Sequence, residues 1–196
     1  MSFTNIFTSY LYKEKLNLNL NSIKKHILKT YQNNKVGTQR SNYGGWRSQT
    51  FTNVQEEVKP LFQTLDKIAH TIKKKLNYKN DIKLINHWYN INSFGSCNTP
   101  HTHIGFETLV SGVFYVSTFK DSGDIVFMNH DRLLPILYDK KVSEYNEYTS
   151  STWFVAPENN LSVLFSSNLI HYVQPNLNKK EKRICISFNY GDVHTN

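Results

Sequence analysis

The stretch NTPHTHIGFETLVSGVFYV, residues 98–116, carries two histidines, His101 and His103, immediately before an apolar run that is typical of a β-strand. In an extended chain, residues i and i+2 point to the same side, so both imidazoles are expected to face one place. Neutral imidazole is a common ligand of iron, zinc and copper. The stretch therefore predicts a metal site on a β-sheet, and it raises the question of which residues complete the ligand set.

Several runs rich in β-branched and aromatic residues surround this stretch, and turn residues separate most of them. KDSGD, residues 120–124, predicts a hairpin turn, and PENN, residues 157–160, predicts another. Many short strands preceded by helices are typical of a closed or sandwiched β core, so the expected fold is mainly β (α+β) with flanking N-terminal α-helices. The runs are DIKLINHWYNIN (81–92), TLVSGVFYVST (108–118), SGDIVFMN (122–129), STWFVAP (151–157), LSVLFSS (161–167) and KRICISFNY (182–190).

Two segments before residue 80 repeat apolar residues at three- and four-residue steps, which predicts amphipathic helices over residues 20–31 and 58–76. Pro60 fits the first turn of the second helix, where its missing N–H costs little. Between the helices, the glycine-containing segment 33–51 predicts a loop or a hairpin. The apolar positions are Leu20, Ile23, Ile27 and Leu28 in the first helix, and Val58, Leu61, Leu65, Ile68, Ile72 and Leu76 in the second.

The length of 196 residues fits a single domain, residues 1–196, in which residues 1–80 form a helical support and residues 81–192 form the β core. No segment is apolar over enough length to span a bilayer, so no membrane association is expected. Cys97 and Cys185 lack the CxxC spacing of a zinc or redox site. Their presence as isolated cysteines favours a reducing compartment and a cytoplasmic location.

The net charge of +8 raises the question of a nucleic-acid partner. The lysines are scattered or form short runs, and the chain is rich in the residues that an AT-rich genome favours. Nucleic acid is therefore not an expected partner. An acidic partner or substrate and an oligomeric state both stay open.

Two more residues extend the histidine pattern. His171 follows a strand-like run in LFSSNLIHYVQP, residues 164–175, and Arg183 opens the last run twelve residues later. Ligands on neighbouring strands of a β-barrel can occupy one side of a metal ion and leave other positions open for substrate. The remaining histidines, which are His26, His70, His87, His130 and His194, are expected at the surface or hydrogen-bonded in the core.

These motifs together resemble the 2-oxoglutarate- and Fe(II)-dependent oxygenases. PHTH, SGVFYV, SGDIVFMN, LFSSNLIHYVQP and KRICISFN are similar in order and spacing to a bacterial and phage branch that carries HxH, SGVYYV, SGxIxF, a late histidine and RxSxSFN. The resemblance covers residues 84–190. It implies a double-stranded β-helix (jelly-roll, cupin-like) core, Fe(II) as the metal and 2-oxoglutarate as the cosubstrate.

The resemblance also implies roles for single residues. His101, His103 and His171 correspond to the metal-binding and catalytic positions of the family. His103 stands where most of the superfamily has a carboxylate, so the expected facial triad becomes a set of three histidines. Three neutral ligands would leave the metal more positively charged than the usual set does.

For the cosubstrate, Arg183 corresponds to the arginine that pairs with the C5 carboxylate of 2-oxoglutarate, and a planar guanidinium suits bidentate binding. Tyr115 matches a tyrosine that hydrogen-bonds the same carboxylate. Ser187, four residues beyond Arg183, is expected on the same face of the strand and in the same pocket. By the same alternation, Asn189 is expected to face the mouth of this pocket, and Asn86, Trp88 and Asn90 are expected to share one face of their strand. Asn90 and Asn98 are candidate contacts for the cosubstrate or the substrate.

Two alternatives stay open at this point. GSCNTPHTHIGFE also matches the first motif of the cupins, in which Glu107 would join the histidines as a ligand and neither 2-oxoglutarate nor Arg183 would be needed. The second alternative is a non-catalytic barrel that serves as a binding module. A solvent-exposed position for Glu107 is the simpler expectation.

The predicted function is hydroxylation of an unknown organic substrate, either a small molecule or a protein side chain, with Fe(II), 2-oxoglutarate and O2. This reaction is implied by the resemblance and does not follow from composition. The polar segment 129–151 is expected to form a lid over the open end of the core. Within it, Arg132 is a candidate contact for an anionic substrate.

Overall fold

Two antiparallel sheets form the body of the protein in a computed structural model that describes residues 4, 6, 8–105, 107–131, 137–138 and 140–192. The six-stranded sheet has the order β1-β9-β6-β11-β4-β3, and the five-stranded sheet has the order β2-β5-β10-β7-β8. The helices are α1 (Leu20–Asn33) and α2 (Lys59–Lys75). The strands are β1 (Leu11–Lys15), β2 (Asn42–Tyr43), β3 (Trp46–Arg47), β4 (Ile82–Asn92), β5 (Cys97–His101), β6 (Thr108–Ser117), β7 (Ile125–Met128), β8 (Thr152–Val155), β9 (Leu161–Ser166), β10 (His171–Val173) and β11 (Arg183–Asp192).

Consecutive strands often belong to different sheets, as the chain of a double-stranded β-helix requires. The prediction of a hairpin at residues 120–124 is wrong, because the two flanking strands do not pair. Strand β6 lies in the six-stranded sheet and β7 in the five-stranded sheet. The turn at residues 157–160 likewise carries the chain from β8 to the other sheet at β9. Turn residues identified where the chain reverses, but the pairing partner is set by contacts distant in sequence.

The segment between the helices also connects the two sheets and forms no hairpin of its own. Its strand β2 pairs with β5, and its strand β3 pairs with β4 in the opposite sheet. The first 80 residues therefore contribute short strands to both sheets in addition to the two helices. The strand β1 near the N-terminus pairs with β9 at one edge of the six-stranded sheet.

Both helices form close to their predicted positions and cover the outer face of the six-stranded sheet, with α2 against β4 and α1 against β6. The Asn19 side chain caps α1 by accepting a hydrogen bond from the Ser22 N–H at 3.4 Å. Pro60 lies in the first turn of α2, as predicted. One apolar assignment is wrong, because Leu76 ends the helix with 40% of its surface exposed. The buried helical side chains are Ile23, Ile27, Leu61, Phe62, Leu65, Ile68, Ala69 and Ile72.

The inner face of the six-stranded sheet is more polar and faces the five-stranded sheet. Because side chains alternate along a strand, β11 sends Arg183, Cys185, Ser187 and Asn189 inward and its apolar residues toward the helices. Register places Asn189 between Asn86 of β4 and Ser111 of β6. Among the described residues, no helix is both long and apolar enough to cross a membrane.

Candidate metal and cosubstrate site

Three histidines meet on the inner side of the five-stranded sheet. His101 is the last residue of β5 and lies opposite His171, the first residue of β10, in the antiparallel register. His103 lies two residues beyond the end of β5, and its N–H donates to the Ser167 carbonyl oxygen at 2.9 Å. Candidate ligand nitrogens of the three imidazoles all lie within 4.8 Å of one another. The i, i+2 pair therefore converges, although only His101 is within the strand.

Hydrogen bonds fix which nitrogen of each ring is free. The Nδ1 of His101 lies 2.7 Å from the Thr99 carbonyl oxygen, and the Nδ1 of His171 lies 2.9 Å from the Leu169 carbonyl oxygen. A carbonyl only accepts, so each Nδ1 carries the proton and each Nε2 keeps its lone pair. Metal-binding histidines in proteins usually have this arrangement, with the second nitrogen donating to a backbone or carboxylate oxygen.

The third imidazole is held by side chains. The Nδ1 of His103 lies 2.9 Å from the Ser111 Oγ and 3.0 Å from the Asn189 Oδ1. Near the group, the Ser41 Oγ lies 3.4 Å from the His101 Nε2 and accepts a hydrogen bond from the Asn98 amide at 3.2 Å. Sequence reasoning missed the contributions of Ser41 and Ser111, because neither residue type nor local spacing distinguishes them from other serines.

Burial keeps the imidazoles neutral. Desolvation, reinforced by the neighbouring imidazoles, lowers the pKa of His103 to about 4 and that of His171 to about 3. Burial also lowers the pKa of His101, and its hydrogen bond to Thr99 partly offsets this shift. A neutral imidazole is the form that binds a metal ion. The cluster therefore presents ligands that need not lose a proton at neutral pH.

Aromatic rings enclose the histidines. Phe165 packs edge-on against His171 with ring centroids 4.7 Å apart, and Phe127 packs against Phe165 at 4.9 Å. On the other side, the Trp88 ring lies 5.5 Å from the His103 ring. The Arg47 guanidinium stacks on Trp88 at 4.7 Å, and burial lowers the pKa of Arg47 to about 10. These aromatic rings limit the access of water to the histidines and hold the imidazole planes in place.

Arg183 is buried deep in the same cavity, with only 1% of its surface exposed. Its Nη1 donates to the carbonyl oxygens of Ser122 at 2.6 Å and Gly123 at 2.9 Å. Gly123 has a φ of +84°, and a Cβ there would lie 2.3 Å from the Gln174 carbonyl oxygen, so glycine is required for this close turn. Among the described residues, no carboxylate lies within 4.0 Å of this guanidinium.

A buried cation without an anionic partner is costly, and an anionic ligand would offset that cost. Tyr115 lines the cavity beside Arg183, and burial raises the pKa of its hydroxyl, so it stays protonated and can donate. Ser187 lies on β11 between Arg183 and the histidines, and its Oγ accepts from the Asn90 amide at 3.0 Å. The Asn90 Oδ1 is buried and has no hydrogen-bond partner within the described part of the chain.

The cavity that joins these groups is narrow, at about 50 Å³, which holds only a few water molecules. A small dicarboxylate would therefore contact the lining side chains directly. A larger cavity of about 800 Å³ lies against residues 118–124 and contains none of the three histidines. The three imidazoles and the Arg183 guanidinium all line the narrow cavity.

Glu107 is exposed and does not belong to the group of candidate ligand atoms. The carboxylate that the cupin alternative requires is therefore not close to the histidines. Arg132 lies outside the described residues, as do the other residues of 132–136 and residue 139. The described part of segment 129–151 contributes no residue to the lining of the narrow cavity, so its role as a lid stays a prediction.

The fold and these two adjoining sites define a class of protein: a double-stranded β-helix that can hold a metal ion beside a small dicarboxylate. A model of the family described as "Putative 2OG-Fe(II) oxygenase" matches residues 86–189, a little more than half of the chain. This chain therefore belongs to the 2-oxoglutarate- and Fe(II)-dependent oxygenases. The matched range includes every residue proposed above for the metal and the cosubstrate. No curated protein sequence matches this chain significantly.

Solved structures of similar fold have low sequence identity. A Pseudomonas putida prolyl-4-hydroxylase has a TM-score of 0.68 at 14% identity, and the match covers 94% of each chain. A Trichoplax adhaerens prolyl hydroxylase, solved with a hypoxia inducible factor peptide fragment, has a TM-score of 0.66 at 14% identity over 93% of this chain and 83% of that one. HygX from Streptomyces hygroscopicus, solved with nickel, 2-oxoglutarate and hygromycin B, has a TM-score of 0.63 at 12% identity over 95% and 84%. These comparisons confirm the predicted fold.

The residues present fit the two groups that the family uses. Three convergent imidazole lone pairs are suitable ligands for Fe(II), and they leave part of the coordination sphere free. The buried guanidinium with free donors suits a carboxylate.

Proposed function

We propose that His101, His103 and His171 hold the Fe(II) of this oxygenase, and that Arg183 with Tyr115 and Ser187 holds its 2-oxoglutarate. The observation that carries the proposal is that three imidazole lone pairs, and one buried guanidinium with no carboxylate partner among the described residues, face a single narrow cavity. Each group is costly to bury without a partner. In the proposed complex, the imidazole lone pairs bind the metal cation and the guanidinium binds a carboxylate.

In this scheme, the side chains position and shield the reactants. Arg183 binds the far carboxylate of the cosubstrate, the Tyr115 hydroxyl donates to the same carboxylate, and Ser187 lines the path toward the histidines. Phe127 and Phe165 keep water away from one side of the histidine group. When bound, Fe(II) and 2-oxoglutarate supply the oxidising power by which one atom of O2 enters a substrate C–H bond and the other enters succinate, with release of CO2.

The proposed substrate is an organic small molecule or a protein side chain that undergoes hydroxylation. Both kinds are consistent with the fold, since one structural neighbour was solved with a peptide fragment and another with hygromycin B. A carbon atom to be hydroxylated must approach the histidine group on the side that the cosubstrate leaves open. Trp88, next to His103, is a candidate contact there.

An anaerobic titration tests the proposal. Metal-free protein is loaded with Fe(II) and then with 2-oxoglutarate, and the visible charge-transfer band of the chelate is followed. The wild type is expected to develop the band. Arg183→Met is expected to bind Fe(II) normally but to need roughly 30- to 1000-fold more 2-oxoglutarate, because a charged hydrogen-bond partner is lost.

The matched control is Lys182→Met, which removes the neighbouring cation, whose exposed side chain lies over the Tyr31 ring and does not line the cavity. It is expected to leave the affinity for 2-oxoglutarate within a factor of about three. Iron binding by the wild type without any band, or equal 2-oxoglutarate affinity in Arg183→Met and wild type, would contradict the proposed cosubstrate site.

A further inference from the structure

The three histidines differ in what holds their Nδ1 atoms. His101 and His171 each bond the carbonyl of the residue two positions earlier, which is a local backbone contact. His103 has no such contact and depends on two side chains from other strands, Ser111 and Asn189. The orientation of His103 is therefore set by residues distant in sequence, and a substitution can remove it without changing any ligand.

The hydrogen-bond directions at His103 form a consistent chain. The Asn189 amide nitrogen donates to the Asn86 Oδ1 at 3.0 Å, so the Asn189 Oδ1 is turned toward His103. The Ser111 hydroxyl donates to that same Oδ1 at 2.8 Å, which leaves the Ser111 Oγ as an acceptor. Both oxygens near the His103 Nδ1 are thus acceptors. The ring must carry its proton on Nδ1 and present the Nε2 lone pair to the cavity.

The backbone fixes this chain of polar groups. Asn86, Asn189 and Ser111 are register partners on the adjacent strands β4, β11 and β6. Ser111 is fully buried and only 8% of the Asn189 surface is exposed to solvent, so their polar atoms need partners inside the protein. They satisfy one another, and the acceptor capacity that remains faces His103. We call these three residues the Ser111–Asn189–Asn86 row.

We infer that Asn189 and Ser111 are positioning residues that make His103 a metal ligand, and that the row specifies a three-histidine site in this chain. The inference rests on the proposed function and deepens it. A carboxylate at position 103 would bring anionic oxygens against the acceptor oxygen of Asn189, whereas a neutral imidazole supplies the missing N–H. The row thus explains how the chain accommodates a histidine where most of the superfamily has an acid.

The test measures binding of Co(II) to metal-free protein by calorimetry and by the visible spectrum of the bound ion. Asn189→Leu keeps the size of the side chain but removes one acceptor and also releases the Ser111 hydroxyl, which then no longer has to present an acceptor to His103. A roughly 10- to 100-fold loss of affinity with a changed spectrum is expected. Asn189→Asp keeps an acceptor oxygen for His103 but loses the N–H that donates to the Asn86 Oδ1, and it is expected to bind Co(II) more tightly than Asn189→Leu does. Ser111→Ala is expected to have a smaller effect than Asn189→Leu, because the Asn189 oxygen remains.

Ser162→Ala is the matched control, since Ser162 is a fully buried serine on β9 that does not line the narrow cavity. It is expected to bind Co(II) as the wild type does. If folded Asn189→Leu and Ser111→Ala both bind Co(II) with unchanged affinity and spectrum, the inference is overturned while the proposed function stands. If the wild type itself binds no Co(II), the proposed function fails as well.

A second measurement reads the wild-type protein itself and needs a variant only to assign the signals. Nitrogen-15 NMR of metal-free wild-type protein distinguishes the two neutral tautomers of each imidazole, and His103→Gln identifies the signals of His103 by their loss. The row predicts that His103 is protonated on Nδ1. A proton on Nε2 of His103 would overturn the inference.

Discussion

The two faces of the six-stranded sheet differ in chemistry although the same strands build both. The outer face, toward the helices, carries Tyr89, Phe114 and Phe188 in a continuous apolar core. The inner face carries arginine, asparagine, serine and tyrosine side chains that lead toward the histidine group. Alternation along each strand separates a face that stabilises the fold from a face that carries the proposed binding groups.

His87 and His103 show what the difference means for a single residue type. His87 is fully buried on the outer face, with its Nε2 2.9 Å from the Gln55 Oε1 and its Nδ1 without a partner among the described residues. Desolvation lowers the pKa of both histidines to about 4. Burial and a lowered pKa therefore do not distinguish a structural histidine from a proposed ligand. The direction of the lone pair and the presence of two further imidazoles do.

Among variants that compare the two faces, His171→Ala is expected to have the largest effect on Ni(II) affinity. Loss of one of the three converging imidazoles is expected to weaken Ni(II) binding by roughly 100-fold or more. This exceeds the effect expected when only a hydrogen-bond partner of a metal ligand is lost. His87→Gln removes an equally buried histidine from the opposite face and is expected to leave Ni(II) affinity within about twofold. Calorimetric titration of both variants checks the pair. Equal Ni(II) affinity in His171→Ala and wild type would contradict the proposal that the inner-face histidines bind the metal.

A comparable effect is expected from lowering the pH, through His87 on the outer face. The folded pKa of His87, about 4, lies below its ordinary value of 6.5, so the unfolded state binds more protons between these values. The resulting stability is present above pH 6.5 and is lost as the pH falls toward 4, by about 3 kcal/mol for this one group.

The variant His87→Gln lacks this titration. Urea unfolding at pH 7 and pH 4 is therefore expected to show a fall in the free energy of unfolding that is about 3 kcal/mol smaller in His87→Gln than in wild type. The difference between the two proteins isolates His87, because the other titrating groups are common to both. Parallel pH dependence would show that His87 titrates normally in the folded protein.

The smallest effect is expected from Glu107→Gln. Its side chain is exposed and outside the histidine group, so Ni(II) affinity is expected to change by less than about twofold. Calorimetric titration beside the wild type is sufficient. A loss as large as that of His171→Ala would instead support the cupin alternative.

The sequence predicted much of the core because its signals are local. Helix periodicity located α1 and α2, and the motifs around His101, His171 and Arg183 indicated the family that the comparison confirms. The roles of the individual site residues stay predictions, although the structure places all of them on one cavity.

What the sequence did not predict depends on pairing between distant strands. The turns at residues 120–124 and 157–160 have ordinary turn composition, and only the full topology shows that they join different sheets. Asn189 was expected near the pocket mouth, but its contact with Ser111 and His103 requires the register of β6 against β11. Register cannot be obtained from either strand alone.

The most direct test of the proposed metal and cosubstrate site is a crystal structure, from crystals grown without O2 in the presence of Mn(II) and 2-oxoglutarate. We expect Mn(II) to be bound by the Nε2 atoms of His101, His103 and His171, and the far carboxylate of 2-oxoglutarate to lie on Arg183. Mn(II) bound through Glu107, or 2-oxoglutarate bound away from Arg183, would contradict it.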